Sequence, residues 1–197
     1  MEEYYEKASL RAPGLSHAPV APPWVKYRDD IKAVVIEEGV THIGAQCFQF
    51  CTKLKSVTIP SSVESIGDAA FCRCEKLSAV TLPDALTEIA DQTFDHCTAL
   101  KSIVIPDGVT RIGESAFNCC SVIKTVDIPA SVEKICDSAF NACQKLDTVY
   151  YGGTASDWNK IEIERYNKRL TSAELVIADT ETSAPAPSEK PVGGKLK

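Results

Sequence analysis

A 23-residue period is the feature that most constrains the fold of this chain. The sequence aligns with itself at that shift, without a gap, from Val34 to Thr148, which gives five copies. Each copy opens with two aliphatic residues two places apart, an alternation typical of a short β-strand. These pairs are Val34 and Ile36, Val57 and Ile59, Val80 and Leu82, Ile103 and Ile105, and Val126 and Ile128. A proline follows the pair in four copies and predicts that the strand ends there, because proline has no N–H to donate.

The rest of each copy carries a second apolar pair, then a phenylalanine, a cysteine and a leucine or isoleucine. The phenylalanines are Phe48, Phe71, Phe94, Phe117 and Phe140, and the cysteines three residues later are Cys51, Cys74, Cys97, Cys120 and Cys143. The spacing of each phenylalanine and cysteine fits a helical turn. A unit this small cannot bury its apolar residues alone, so the copies are predicted to stack as a short solenoid.

One position of the repeat accepts only small residues, and their identity indicates the reason. It is occupied by Gly44, Gly67, Ala90, Gly113 and Cys136. A compulsory left-handed backbone would penalise the alanine and the cysteine. We therefore expect tight packing against the next coil, rather than an unusual dihedral angle, to set the size limit.

The repeat resembles that of the BspA-like leucine-rich repeat family. The resemblance is carried by "LKSVTIP" from Leu54 and "IKTVDIP" from Ile123, followed by "SVESIGDAAF" or "GVTRIGESAF". The closing "VYYGGTASDWNKIEI" and the opening "PPWVKYRDDIKAVVIEEGVTHIG" also look like the ends of such arrays. The family implies an α/β-type, β-rich repeat solenoid: a right-handed coil with a parallel concave sheet and short helical or irregular convex turns. It also implies a surface or secreted protein of host-associated bacteria, adhesion in a few cases, and no enzyme activity.

The same reasoning divides the chain into four segments. Residues 1–33 are predicted to form an entry and cap segment, residues 34–148 the five repeats, and residues 149–178 a C-terminal cap with a short helix and a final strand. Residues 179–197 are rich in Pro, Ala, Ser and Thr without aromatic residues, which predicts a disordered linker tail. Because caps cover the apolar ends of a solenoid, we expect a monomer.

Composition and charge exclude several classes of partner. The chain has 21 basic and 27 acidic residues, a formal net charge of −6 and no run of Lys or Arg, so we expect no nucleic-acid partner. No segment has the roughly 20 apolar residues that cross a bilayer, so we expect no membrane insertion. The N-terminus lacks the pattern of a secretory signal. We expect a fragment of a longer extracellular or cell-surface protein, with a cytoplasmic protein as the alternative.

Nine cysteines raise the alternative of a thiol or zinc enzyme. Five of them occupy one repeat position, which favours a column of buried, reduced thiols. Cys47, Cys51, Cys72 and Cys74 offer weak spacing for zinc, and adjacent residues such as His96 and Cys97 are not expected to meet. We expect no cofactor and no enzyme activity.

The outward-facing strand positions are the candidate ligand-binding residues. They form a row of small hydroxyl groups with a basic edge, on which an extended ligand could lie. The candidates are Lys55, Ser56, Thr58, Thr81, Lys101, Ser102, Lys124, Thr125, Asp127 and Tyr150, beside Ala79, Val104 and Thr148. Serine and threonine suit strands without any ligand, so two hypotheses stand: a noncatalytic, adhesion-like module that binds a protein or glycan, and an architectural spacer in a larger secreted protein.

Overall fold

A computed structural model describes residues 22–177 as a solenoid whose coils follow the sequence period. The predictions for residues 1–21 and for the tail at 179–197 lie outside the described residues. A turn of 3-10 helix at Val25–Tyr27 precedes the first coil. The elements in chain order are β1 (Ala33–Val35), β2 (His42–Ile43), β3 (Ser56–Thr58), β4 (Ser65–Ile66), β5 (Glu88–Ile89), β6 (Ser102–Val104), β7 (Arg111–Ile112), β8 (Thr125–Ile128), β9 (Lys134–Ile135), β10 (Thr148–Tyr151), α1 (Ala155–Trp158), β11 (Glu162–Ile163), α2 (Lys168–Thr171) and β12 (Glu174–Ile177).

All strand pairs are parallel and form two ladders along the solenoid. The first ladder, which we call the concave ladder, contains the pair β1 and β3 and then the sheet β6, β8, β10 and β12. The second ladder contains β2 with β4, and then β5, β7, β9 and β11. Val34 pairs with Val57, and Ile103 pairs with Val126. The pairing register is therefore the sequence period itself, as the repeat predicts.

The concave ladder is interrupted at the third coil. A strand is expected around Val80, but the chain from 79 to 81 has no strand assignment. The Ser78 N–H donates to the Lys55 carbonyl at 3.4 Å, and the Lys101 N–H donates to the Ser78 carbonyl at 3.4 Å, whereas the Lys55 N–H reaches the Lys32 carbonyl at 2.8 Å. The expected strand is absent because the hydrogen bonds to both neighbouring coils are stretched here.

One continuous stack of phenylalanine rings runs through the core. The five rings, from Phe48 to Phe140, lie 5.2 to 5.5 Å apart between centroids and are nearly parallel. All five side chains are at most 1% exposed. Trp24 stacks on Phe48 at 5.6 Å and so covers the N-terminal end of the stack. Its indole Nε1–H donates to the Cys47 carbonyl at 2.9 Å. Each coil thus gains its interior from its neighbours.

The convex segments are successive turns and not helices. In the first coil the Gln46, Phe48 and Phe50 N–H groups donate to carbonyls of the next coil, while the Cys47 and Cys51 N–H groups donate three residues back. This alternation excludes a helix, in which every N–H would point along one axis. It places two non-glycine residues of every coil in the left-handed region: Gln46 and Phe50, Ala69 and Arg73, Gln92 and His96, Ser115 and Cys119, and Ser138 and Ala142.

The small position is limited by contact with the preceding coil. A Cβ atom added to Gly67 would lie 2.6 Å from the backbone nitrogen of Ala45, and neither Gly67 nor Gly113 has a left-handed backbone. Such a distance is far inside van der Waals contact. Packing, and not a dihedral requirement, therefore sets the size limit as expected, but the close contact is with the preceding coil and not with the next one.

The C-terminal end of the stack is closed by side chains. Thr154 caps α1 in a capping box with Asp157, and Trp158 on α1 packs edge-to-face on Tyr151 at 5.1 Å. Asn167 is 3% exposed, and its Oδ1 accepts a hydrogen bond from the Phe140 N–H at 2.9 Å. In the preceding coils the phenylalanine N–H donates instead to a backbone carbonyl, as Phe117 does to Ala139. Asn167 thus replaces the missing next coil.

Candidate functional site

Two rows of side chains project from the exposed face of the concave ladder. In the first row, Ser102, Thr125 and Thr148 are in register on β6, β8 and β10, and Glu174 follows on β12. Ser56 holds the same position on β3, where it is paired with Ala33. This first row carries small polar groups, as the sequence predicts.

The second row is different in chemistry. Val104, Asp127, Tyr150 and Val176 are in register on four neighbouring strands. Val104 is 62% exposed and Tyr150 is 45% exposed. At the N-terminal end of the ladder the row contains Val35, paired with Thr58. The second row therefore presents apolar surface to solvent, concentrated on the four-stranded sheet.

A shallow cleft lies along this part of the second row. It has a volume of about 270 Å³, and Val104, Asp127, Tyr150 and Val176 line it together with Pro129. Asp107, which follows the β6 strand, also reaches it. We call this feature the second-row cleft. It is a shallow, open depression on the face of the sheet.

Asp127 is the charged group at the centre of the cleft. It is half-buried, and desolvation raises the pKa of its carboxyl group. Its carboxylate has no hydrogen-bond or ion-pair partner within residues 22–177. Other acids on this surface do have partners, such as Asp91 with Arg111 at 2.6 Å and Asp137 with Arg165 at 3.0 Å. The Asp127 carboxylate is therefore a partly desolvated charge without a partner among the described residues.

The predicted basic edge forms one line beside the face. The backbone hydrogen bonds that join Lys32 to Lys55, and Lys101 to Lys124, place the lysines at equivalent points of successive coils, and all four are exposed. Sequence reasoning left out Lys32, although it lies one period before Lys55. Ser78 interrupts the line at the third coil, and Asp147 ends it. The edge is thus two pairs of lysines and not a continuous basic strip.

The structure brings together only some of the predicted site residues. Asp127 and Tyr150 line the cleft, whereas Ser102 and Thr125 lie in the neighbouring first row. Ser56 and Thr58 lie on the separate two-stranded sheet, and Thr81 lies in the coil without a strand. The candidates therefore do not form one site.

Sequence reasoning missed several residues of the cleft. Val176 and Pro129 were not candidates, and neither was Asp107. Val104 was visible as an outward-facing valine, a residue that usually points into a core. Val176 lies after the last repeat, so the period gives no position for it. The pairing of β12 with β10 supplies that position.

The column of cysteines is held by a repeated hydrogen bond. The Cys97 thiol donates to the Phe71 carbonyl at 3.3 Å. The equivalent thiols in the preceding coil and in the two following coils make the same bond at 3.2 to 3.3 Å. Burial raises the pKa of Cys51 to about 11 and the pKa of Cys143 to about 12. All nine cysteines are free. These thiols stay protonated at neutral pH and serve as small core residues.

Within the described residues, the structure supports neither a zinc site nor the site of a thiol enzyme. Among residues 22–177, no three His, Cys, Asp or Glu side chains are placed to hold a metal ion. His96 lies one period before Cys119, a neighbour that the sequence reasoning did not consider, and its Nδ1 lies 2.8 Å from the Asp95 carboxylate. The Cys119 thiol contacts the Asn118 amide oxygen, and desolvation and Asp95 raise its pKa. A nucleophilic thiol needs the opposite shift.

The helices of the described chain are very short. None of those in residues 22–177 is long and apolar enough to cross a membrane.

Comparison with known families gives the decisive observation. The family described as the BspA-type leucine-rich repeat region matches residues 26–147 in six copies. The chain belongs to the BspA-type leucine-rich repeat family. The resemblance drawn from the repeat is therefore confirmed, and so is the leucine-rich repeat solenoid.

Solved structures of bacterial leucine-rich repeat proteins resemble this one. A leucine-rich cell surface protein from Faecalibacterium prausnitzii is 41% identical over 66% of this chain and 34% of its own, with a TM-score of 0.64. A leucine-rich repeat protein from Eubacterium ventriosum is 31% identical over 70% of this chain and 35% of its own, with a TM-score of 0.58. The T. pallidum leucine-rich repeat protein is 25% identical over 76% of this chain and 75% of its own, with a TM-score of 0.59.

The matched region spans about a third of the length of the F. prausnitzii and E. ventriosum proteins. A search of curated proteins gives no match. The family and these relatives identify a repeat module of a kind found at bacterial cell surfaces.

Proposed function

We propose that this chain is a noncatalytic module of a bacterial surface protein and that it binds an extended segment of a partner protein along the four-stranded sheet of the concave ladder. The observation that carries the proposal is the second row, where exposed Val104 and Tyr150 flank a cleft on the four-stranded sheet. Exposed apolar side chains on a rigid strand face are typical of a surface that binds a partner.

The rigidity of the scaffold supports the same proposal. The stacked rings hold the strands in fixed register, so the face needs little ordering when a partner binds. Side chains repeat at the spacing of neighbouring strands, about 4.8 Å. An extended segment that crosses the strands meets equivalent positions at each step.

A surface location is part of the proposal. The F. prausnitzii relative is described as a leucine-rich cell surface protein. The free thiols are compatible with an oxidising compartment because eight of the nine are buried. Adhesion to a host component would be one use of such a module.

Binding assays with matched variants test the proposal. We expect the wild-type chain to bind host matrix proteins or peptides derived from them, and we expect Val104→Asp and Tyr150→Asp to reduce that binding at least tenfold. Thr58→Asp is the matched control, because it changes an exposed residue of the same row on the other sheet. It should leave binding within about twofold.

The alternatives give different results in the same assays. A glycan partner would be captured on glycan arrays, with no loss on protease treatment of the ligand. A purely architectural spacer would bind nothing, and the two cleft variants would behave like wild type. Equal binding by Thr58→Asp and Tyr150→Asp would contradict the assignment to this face.

A further inference from the structure

The cleft carries a charge pattern that the proposed function does not use. Asp127 lies between Val104 on one strand and Tyr150 on the other, in register. Asp107 is the second acid of the lining, and no Lys, Arg or His side chain lines the cleft. The concavity therefore combines an apolar wall, an aromatic ring and an acidic centre.

Asp127 is an acid at a repeat position that holds neutral residues in the earlier coils. The same row position holds Thr58 and Thr81 in two earlier coils and Val104 in the preceding one. The carboxylate thus replaces a neutral residue that the fold accepts at this position. Its desolvation is not compensated by any cation within residues 22–177. A half-buried charge without a partner lowers stability to some extent, and such costs are found at functional positions.

The size of the cleft suits one long side chain of a partner. About 270 Å³ is below the volume of sites that enclose a drug-sized ligand. Lysine and arginine combine an apolar stem with a cationic end, so the stem can lie on valine while the charge reaches a carboxylate. A cation can also be attracted to a tyrosine ring.

We propose that the second-row cleft binds a lysine or arginine side chain of the partner segment, with Asp127 as the ion-pair partner and Tyr150 beside the cation. Val104 and Val176 contact the aliphatic stem. This inference rests on the proposed function, because it assigns an anchor residue to the segment that crosses the face. Asp107, near the rim, adds a weaker attraction for the same charge.

Selection from a random peptide library tests the anchor directly. We expect peptides selected on the wild-type chain to be enriched in Arg or Lys at one position. Replacing that residue by Gln should weaken binding about tenfold, the effect of one charge-assisted hydrogen bond. The discrimination between the Arg and Gln peptides should disappear in Asp127→Asn, a nearly isosteric change whose folding is checked by circular dichroism.

Two control variants test whether the discrimination depends on the Asp127 carboxylate or on any acidic residue of the surface. Asp84→Asn removes the acid one period before Asp107, and Asp147→Asn removes an exposed acid at the end of the lysine line. Both should keep the tenfold discrimination. Higher salt should reduce it, because the pair is only half-buried.

The outcomes separate the anchor from the proposed function. Selected peptides that lack a basic residue, yet lose binding in Tyr150→Asp, would overturn the cationic anchor and leave the binding face intact. Discrimination that persists in Asp127→Asn would also overturn it. No selected peptide and no captured protein would remove both proposals.

Discussion

The Asn167 side chain accepts a hydrogen bond from the backbone N–H of Phe140 at 2.9 Å, in the place of the carbonyl of a next coil. The Asn167 Nδ2 donates to the Cys136 carbonyl at 2.8 Å. One buried amide therefore satisfies both a donor and an acceptor of the last full coil. Asn167 thus pairs the Phe140 N–H and the Cys136 carbonyl at the end of the phenylalanine stack.

Replacement of Asn167 should destabilise the whole array. We expect Asn167→Ala to lower the free energy of unfolding by about 2–3 kcal/mol, because the buried Phe140 N–H loses its acceptor. Urea denaturation measures the change. Asn141→Ala is the control, since Asn141 is exposed and its amide contacts only Asn118. An equal loss in both variants would contradict the capping role.

The N-terminal end makes a parallel prediction. Trp24→Ala should cost about 2–4 kcal/mol, because it uncovers the Phe48 ring and removes the bond to the Cys47 carbonyl. Trp24→Phe keeps the stacking and should cost only about 1 kcal/mol. Thermal unfolding distinguishes the two. Tyr27→Ala, at an exposed aromatic residue nearby, should change little, and a loss as large as that of Trp24→Ala would argue against the stacking contribution.

Thiol reactivity should reveal a single fast cysteine. Cys119 is the one cysteine that is not buried, although its raised pKa slows its reaction. With a disulfide reagent at pH 8 we expect one thiol to react ahead of the rest. Cys119→Ser should remove this fast phase, and Cys97→Ser should retain it. Rapid reaction of several thiols in the native protein would show that the column is not closed.

Stability should fall at alkaline pH. The folded state raises the pKa of Cys51 from 9.0 to about 11 and that of Cys143 from 9.0 to about 12. Above pH 9 the unfolded thiols ionise while the folded ones stay protonated. Stability is therefore fully present below pH 9 and is lost as pH rises, by up to about 1.4 kcal/mol per pH unit for each thiol.

A variant set checks this assignment. Urea midpoints measured from pH 7.5 to 10.5 under reducing conditions give the slope. Cys51→Ala and Cys143→Ala together should reduce the slope between pH 9 and 10.5, even though they lower stability at pH 7.5. An unchanged slope would assign the alkaline loss to other groups, such as the paired Lys134 and Lys160, whose pKa values are also raised.

The period predicts the parts of the fold that depend on neighbour contacts. Phe94 and Cys97 lie in columns because the same residues recur one coil away, and the structure places them so. The turns were not predictable in this way. Phe50 and Arg73 adopt left-handed backbones that the residue types do not indicate, and the bonds from their N–H groups to the next coil impose those angles.

The residues of the candidate site also divide into those that the period predicts and those that it does not. Asp127 and Tyr150 were identified because they hold outward positions of the period. Val176 and Asn167 fall after the period ends, so their spacing from the last repeat gives no register. Their positions follow from pairing and hydrogen bonding in the folded chain. Tertiary contacts, and not local pattern, determine the C-terminal end of the solenoid.

The exact match between strand register and repeat length has a genetic consequence. Recombination between two copies at equivalent points would delete or duplicate a whole coil while leaving every ring and every thiol opposite its counterpart. The gene can therefore change the length of the array in one event and still encode a protein that folds, provided that the segments carrying Trp24 and Asn167 stay at the ends of the array.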